Sequence, residues 1–381
     1  MQFNFISCRM MFFIVAFYTG LWTVRIPTIK DQINSDYLGI GYLFISFSIG
    51  SIFIMIIINK IIKKYSSKKM LQLAGFGQAI GWLLLPFIKD FSIFLVLAFL
   101  FGIIYGVWEV SMNLQASNIE KIQKRPMMSG FHAYYSLGLL SGSFVTSLFI
   151  QIELNFILNT ILVVGIMFPL TIIFSKFLEE DIINKDKSNK QNIFFKWPLL
   201  LIILVIITIT DTSTEGAVDA WGALYMRDVI FTSGFKIGTA TICFNLFMVL
   251  GRLIGDNIRK KIGTYIFLNI LFLLSFIGIS IIFTFSNFTS SIIGFSILGL
   301  GMSCIVPLSY SIASSLKNID NAVGISIVSI SAYGVFMVVP ALMGFIANFY
   351  GVNFVFAPML IMFILCMLLI NIFQKEFYLR S

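Results

Sequence analysis

FSIFLVLAFLFGIIYGV, Phe91 to Val107, carries no charged residue. WPLLLIILVIITIT, Trp197 to Thr210, is a second such run, and others follow along the whole chain. Crossing the hydrocarbon of a bilayer takes about 20 mostly apolar residues as a helix. The chain has 381 residues, 59% hydrophobic and 11% charged. A soluble domain of ordinary composition carries about 25% charged residues, so a water-soluble enzyme is excluded. Twelve spans use roughly 250 residues and leave about 10 for each connection or tail. The reading is an all-α membrane protein of twelve transmembrane helices without a separate soluble domain.

The spans fall at about 8–28, 37–62, 69–88, 91–118, 128–150, 155–177, 197–222, 233–257, 264–284, 288–315, 322–347 and 352–373. The longest polar insert starts as EEDIINKDKSNKQN at Glu179 and ends at Lys196. It divides the chain into an N-terminal six-helix bundle, 1–178, a cytoplasmic linker, 179–196, and a C-terminal six-helix bundle, 197–381. The apolar start, Met1 to Leu21, reads as the first span rather than a removed signal peptide.

Charge placement gives orientation. With both termini cytoplasmic, only Arg25, Lys30, Lys89, Arg227 and Lys236 of the 26 lysines and arginines fall on the outer side. That is the positive-inside asymmetry of membrane proteins, and the net charge of +9 is a topological label rather than a nucleic-acid surface. Cys8, Cys243, Cys304 and Cys366 sit in or beside apolar runs, with neither metal spacing nor a disulfide framework. No Walker loop and no zinc-ligand pattern appears, so neither an ATP-driven pump nor a zinc enzyme is expected.

The halves echo each other. NKIIKKYSSKK from Asn59 and GDNIRKKIG from Gly255 are short basic connections at the same place in each half. Repeated six-helix units are a common transporter plan, with the substrate site expected between halves near the midplane.

GRLIGDNIRKKIG, Gly251 to Gly263, resembles the signature loop of the major facilitator superfamily. The resemblance implies gating roles for Arg252, Asp256 and Arg259. The first-half copy departs from it, with Lys63 where an acid is usual and Ser66 and Ser67 where glycine is usual. WEVSMNLQASNIEKIQKRPMMSGFHAYYSLGLLSG (Trp108 to Gly142) is similar to a bacterial subgroup of inner-membrane permeases distantly related to the fucose–proton symporters. VRIPTIKDQI (Val24 to Ile33), EGAVDAWGALYMRD (Glu215 to Asp228) and AYGVFMVVPALMG (Ala332 to Gly344) resemble the first, seventh and eleventh helices of the same subgroup. By that resemblance Glu109 couples protons and binds sugar, with Asn113 in the same motif. Tyr135 stands where the sugar symporters have an asparagine. TVRIP lacks their first-helix acid.

The residues themselves support a solute path. Charges inside a span are costly and usually face a cavity or a partner. Glu109 lies about 11 residues, roughly 16 Å of helix, before Glu120, and so near mid-membrane. Asn113, four residues on, shares its face. A carboxyl there could load a proton on one side and release it on the other; the bland alternative is a packing acid held by a neighbour such as Arg25. His132, the single histidine, titrates near neutrality and suits a proton relay. Alternatively it hydrogen-bonds the fourth-to-fifth loop. Asp211, Glu215 and Asp219, spaced by four, share one face of the seventh span if that helix is continuous. Thr212, Ser213, Thr214 and Gly216 could let it unwind instead. Asp211 is a further proton-coupling candidate and Glu215 a substrate ligand. Asp219 either gates or pairs with Arg227.

Arg25, expected at the end of the first span, attracts an anionic substrate, closes an outer gate with Asp219 or Glu215, or snorkels to water. Trp22, Trp108, Tyr135, Trp221 and Tyr333 could wall a ring-shaped solute, although Trp221 suits an interfacial belt equally well. Gly102–Gly106, Gly138–Gly142 and Gly299–Gly301 allow close helix approach, while Gly334 and Pro340 suggest a hinge in the eleventh span.

The expected function is secondary active transport of a small polar solute, sugar-like first, by proton-coupled alternating access. The expected protein is monomeric, without cofactor, in a bacterial inner membrane. Two alternatives remain: efflux of an amphipathic or toxic compound by proton antiport, and a non-transporting membrane sensor on the same fold.

Overall fold

The computed structural model describes residues 2–123, 127–180, 197–313, 315–316, 319 and 321–378. The linker expected at 179–196 therefore lies outside the described residues from 181 onward. Among the described residues all regular structure is helical. The chain forms two compact units: Met1–Lys185 with Ser233–Gly238, and Asp186–Thr232 with Thr239–Ser381.

The first unit holds α1 (Gln2–Gln32), α2 (Tyr37–Tyr65), α3 (Ser67–Leu84), α4 (Phe91–Gln123), α5 (Met128–Gln151) and α6 (Phe156–Lys176). Side-chain caps set several boundaries. Asp36 accepts from the Gly39 N–H at 2.7 Å, Asp90 from Ile93 at 2.9 Å and Asn155 from Leu158 at 2.8 Å. Each satisfies a donor that a helix start leaves open. α1 packs on α5 and α2 on α4. Glycines make these contacts close. A Cβ at Gly138 or Gly142 would collide with the carbonyl oxygens of Phe13 or Phe17, and one at Gly102 with that of Phe47. Lipid is as apolar as leucine, so close backbone approach drives helix pairing here.

The second unit holds α7 (Leu199–Asp228), α8 (Thr239–Ile262), α9 (Thr264–Thr284), α10 (Phe288–Met302), α11 (Ile305–Ala313), α12 (Asn321–Tyr350), α13 (Ala357–Ile372) and the short α14 (Gln374–Tyr378). α10 packs on α8 and α9, and α7 on α12. Gly299 meets the Phe244 carbonyl as the first-unit glycines meet theirs. Eleven described stretches are long and apolar enough to cross a membrane, α10 and α11 together forming one of them. A shorter apolar stretch, Val338–Tyr350 at the end of α12, belongs to the eleventh span of the sequence reading.

Four details depart from the sequence reading. α1 runs on through Pro27 to Gln32, so Arg25 lies inside the helix and not at its end. The seventh span does not unwind. α7 is continuous, and the Thr212 and Thr214 hydroxyls bond back to the carbonyls of Thr208 and Thr210, both at 2.8 Å. The tenth span does break, at Ser303–Cys304. The expected start of the eighth span, Ser233–Gly238, clusters with the first unit. There the Phe235 N–H donates to Gln151 Oε1 at 2.9 Å, and the Phe235 ring packs on Phe144.

Candidate functional site

In the first unit α4 presents a polar face. Glu109 is 5% exposed. Its Oε1 accepts from Asn113 Nδ2 at 2.8 Å, and that nitrogen also bonds the Glu109 carbonyl at 2.9 Å. The spacing of four thus makes a carboxylate–amide pair on one face. One turn earlier lies Tyr105, whose hydroxyl is 3.4 Å from that of Tyr135 on α5. Tyr105 escaped the sequence reading, although the 105–109–113 spacing carries the signal. His132, partly buried and one turn before Tyr135, stands edge-on to Phe12 with ring centroids 5.2 Å apart. The cap at the start of α5 comes from Glu120, whose Oε2 accepts from the N–H groups of Met127 and Met128 at 2.8 and 3.0 Å.

Arg25 is a correction. It is 5% exposed, so it is no surface anchor. Its Nε donates to Asn159 Oδ1 at 2.8 Å and its Nη2 to the Leu154 carbonyl at 3.0 Å, with the Phe156 ring alongside. The overrun of α1 past Pro27 is what carries Arg25 beside the start of α6.

The aromatic wall also changes. Trp108 and Trp221 are fully buried within their own units. Their indole N–H groups donate to the carbonyls of Met11 at 3.2 Å and Pro340 at 3.1 Å. Both are packed against neighbouring helices, and Trp221, with no exposure, is not at an exposed interfacial surface. Trp22 is partly buried against Phe44 and Trp82. The Tyr333 side chain lies outside the described residues, as does that of Asp256.

The second unit gathers charge. Every residue of α7 from Thr210 to Met226 is buried except Glu215, which is partly exposed. Asp211 and Asp219 flank it one turn away on either side, and Glu215 interacts electrostatically with both. Asp219 does not pair with Arg227, which binds the neighbouring Asp228 at 2.6 Å. Asn245 Nδ2 of α8 lies 3.5 Å from Asp219 Oδ1 and 3.0 Å from the Thr241 carbonyl. Asp211 Oδ1 is buried without a hydrogen-bond partner among the described residues. The opposite charge comes from Arg252 of α8, which acts on both Asp211 and Glu215. Its Nε also donates to the Ser303 carbonyl at 3.0 Å. Arg259 lies apart from this group; its Nε bonds Thr264 Oγ1 at 3.1 Å and ties the α8–α9 junction. Asn245 was missed in sequence, where a lone amide in an apolar span gave the only hint.

Such sites, a carboxylate–amide pair in one unit and a line of acids within electrostatic reach of an arginine in the other, suit the binding of a polar solute or an ion. A family model described as the Major Facilitator Superfamily matches residues 10–317. An uncharacterised MFS-type transporter of Yersinia pestis is 26% identical over 352 residues, which cover 92% of this chain and 91% of the relative. Membrane protein MosC of Rhizobium meliloti is 24% identical over 343 residues, 90% of this chain and 83% of its own. Among solved structures, the nucleoside transporter NupG is similar with a TM-score of 0.72 at 13% identity, over 99% of both chains. A mutant of NupG gives 0.75 at 12%, over 96% of this chain and 98% of its own. At such identity the likeness is one of fold.

Proposed function

The chain belongs to the major facilitator superfamily, and we propose that it is a proton-coupled symporter of a small polar solute, sugar-like in character. It is a multi-pass membrane protein and a secondary transporter, not an enzyme. The observation that carries the finer reading is the Glu109–Asn113 pair. A carboxyl inside a span is costly and by default marks a functional site, and this one is oriented by an amide 2.8 Å away. Tyr105 and Tyr135 add hydroxyls and rings of the kind that bind sugars. Glu109 carries the proton, with Asp211 as a second carrier and His132 as relay. Asn113, Tyr135 and Glu215 bind solute, and the cycle is one of alternating access. Arg252 gates. The protein acts as a monomer in a bacterial inner membrane with both termini cytoplasmic, a reading supported by the basic connections and by relatives from Yersinia and Rhizobium.

The test is uptake into proteoliposomes under an imposed pH gradient, screening labelled sugars and, because NupG carries nucleosides, sugar-bearing nucleosides too. Glu109→Gln is expected to abolish gradient-driven accumulation while solute exchange at equal pH continues. Accumulation that survives the substitution removes Glu109 as proton carrier. Export rather than uptake of every transported probe would favour the antiport reading.

A further inference from the structure

Arg25 is held by neutral groups alone. Its Nε donates to Asn159 Oδ1 at 2.8 Å and its Nη2 to the Leu154 carbonyl at 3.0 Å, and its guanidinium carbon lies 5.4 Å from the centre of the Phe156 ring. No carboxylate pairs with it among the described residues, and Glu153, the acid of the α5–α6 connection, is exposed. Arg25 itself is 5% exposed. A guanidinium keeps its charge in a protein, and a buried charge is costly unless it is paired. The amide and the carbonyl meet its hydrogen bonds but bring no opposite charge.

Two further features make the same place more positive. α6 starts at Phe156, so the N-terminal end of a 21-residue helix, with its open N–H groups and partial positive charge, stands beside the guanidinium. Asn159 is fully buried, and its Nδ2 has no hydrogen-bond partner among the described residues. Oδ1 and Nδ2 belong to one planar amide. With Oδ1 bonded to Arg25, the unpaired Nδ2 donors lie next to the guanidinium. Buried side-chain donors without a partner are uncommon in folded proteins. A cation, a helix start and an unpaired amide thus converge, all of them donors. Asn155, one helical turn before Asn159, is exposed, so the place is close to solvent.

We propose that Arg25, the Asn159 amide and the start of α6 form a binding site for a small monovalent anion. The anion supplies the missing negative charge, accepts from the unpaired amide and ties α1 to α6. The inference depends neither on proton coupling nor on a sugar-like solute.

The test compares melting of the purified protein in sodium chloride, in sodium acetate and in the bulky morpholinoethanesulfonate salt at equal ionic strength. A ligand that binds only the folded chain raises the melting temperature as its concentration rises. Chloride or acetate is expected to add several degrees over the bulky salt. A larger shift with chloride identifies an inorganic ion as the occupant, and a larger shift with acetate identifies a carboxylate, such as one borne by a solute. Asn159→Asp keeps the shape of the amide and places a carboxylate beside Arg25. It should melt above the parent in the bulky salt and gain nothing from chloride or acetate. Chloride NMR reads binding directly: the parent should broaden the chloride line, and Asn159→Asp should not. Equal melting of the parent in all three salts overturns the site. So does a response of equal size in Asn159→Asp.

Discussion

The turn from α2 into α3 and the turn from α8 into α9 share one backbone conformation: φ 69°, ψ 152° at Ser66 and φ 82°, ψ 159° at Gly263. The residues around them have diverged, with lysines and serines in one loop and the glycine–acid–base pattern in the other. Geometry has thus outlasted sequence, as expected of two units built on one plan. Their interiors differ more. The first unit presses α1 onto α5 through glycines set against backbone and places one carboxylate–amide pair on α4. The second surrounds a line of three acids on α7 and breaks the helix that Arg252 holds. Both units set glycines against backbone carbonyls, Gly299 against Phe244 in the second, so the difference lies in where the charged groups gather.

The largest break in this comparison comes from the glycines. Gly138→Leu forces a side chain into the Phe13 carbonyl, and overpacking of this kind costs about 3 kcal/mol or more when backbone must move. Loss of a monodisperse peak, or a large fall in melting temperature in detergent, is the expected outcome. Gly334→Ala on α12 is its counterpart, since nothing lies within 4 Å of the added methyl. It should stabilise by up to about 1 kcal/mol through helix propensity. If both substitutions behave alike, close glycine packing is not what holds α1 on α5.

Arg25 gives the next effect. Arg25→Met keeps much of the apolar stem but leaves Asn159 Oδ1 and the Leu154 carbonyl without their donor. Leaving such buried acceptors unpaired costs about 1–3 kcal/mol, read as a lower melting temperature. Were Arg25 instead a mobile gate, the same change would alter transport and leave the melting temperature untouched.

Helix count and the Glu109–Asn113 pair were legible in the chain because both are local: apolar run length gives the first and a spacing of four the second. The burial of Trp108 and Trp221 was not. A span meets apolar lipid outside and apolar protein inside, so hydrophobic periodicity no longer tells which face is buried. The partners of Arg25 were not legible because they lie 129 and 134 residues away. The tenth-span break had a visible signal in Pro307, but proline also sits within α1, α6 and α12, which run on through it. What separates Pro307 is an arginine from another helix on the Ser303 carbonyl, a fact of tertiary structure.

The finest test returns to the paired turns. At φ 69° and ψ 152° Ser66 occupies a region that glycine adopts freely and other residues enter only with strain of about 1–3 kcal/mol. Its hydroxyl recovers a little, accepting from the Lys69 N–H at 3.4 Å, a long and weak cap. Relief of strain should therefore outweigh loss of the cap, and Ser66→Gly should raise the melting temperature by the equivalent of about 1 kcal/mol. Gly263→Ser installs the same strain in the second unit, where no side-chain cap is in place, and should lower stability by about 1–2 kcal/mol. Opposite signs at the two turns would mean that they share a backbone requirement that only one residue meets. Destabilisation by Ser66→Gly would mean instead that the weak cap outweighs the strain, and that the first-unit turn has become a structure of its own.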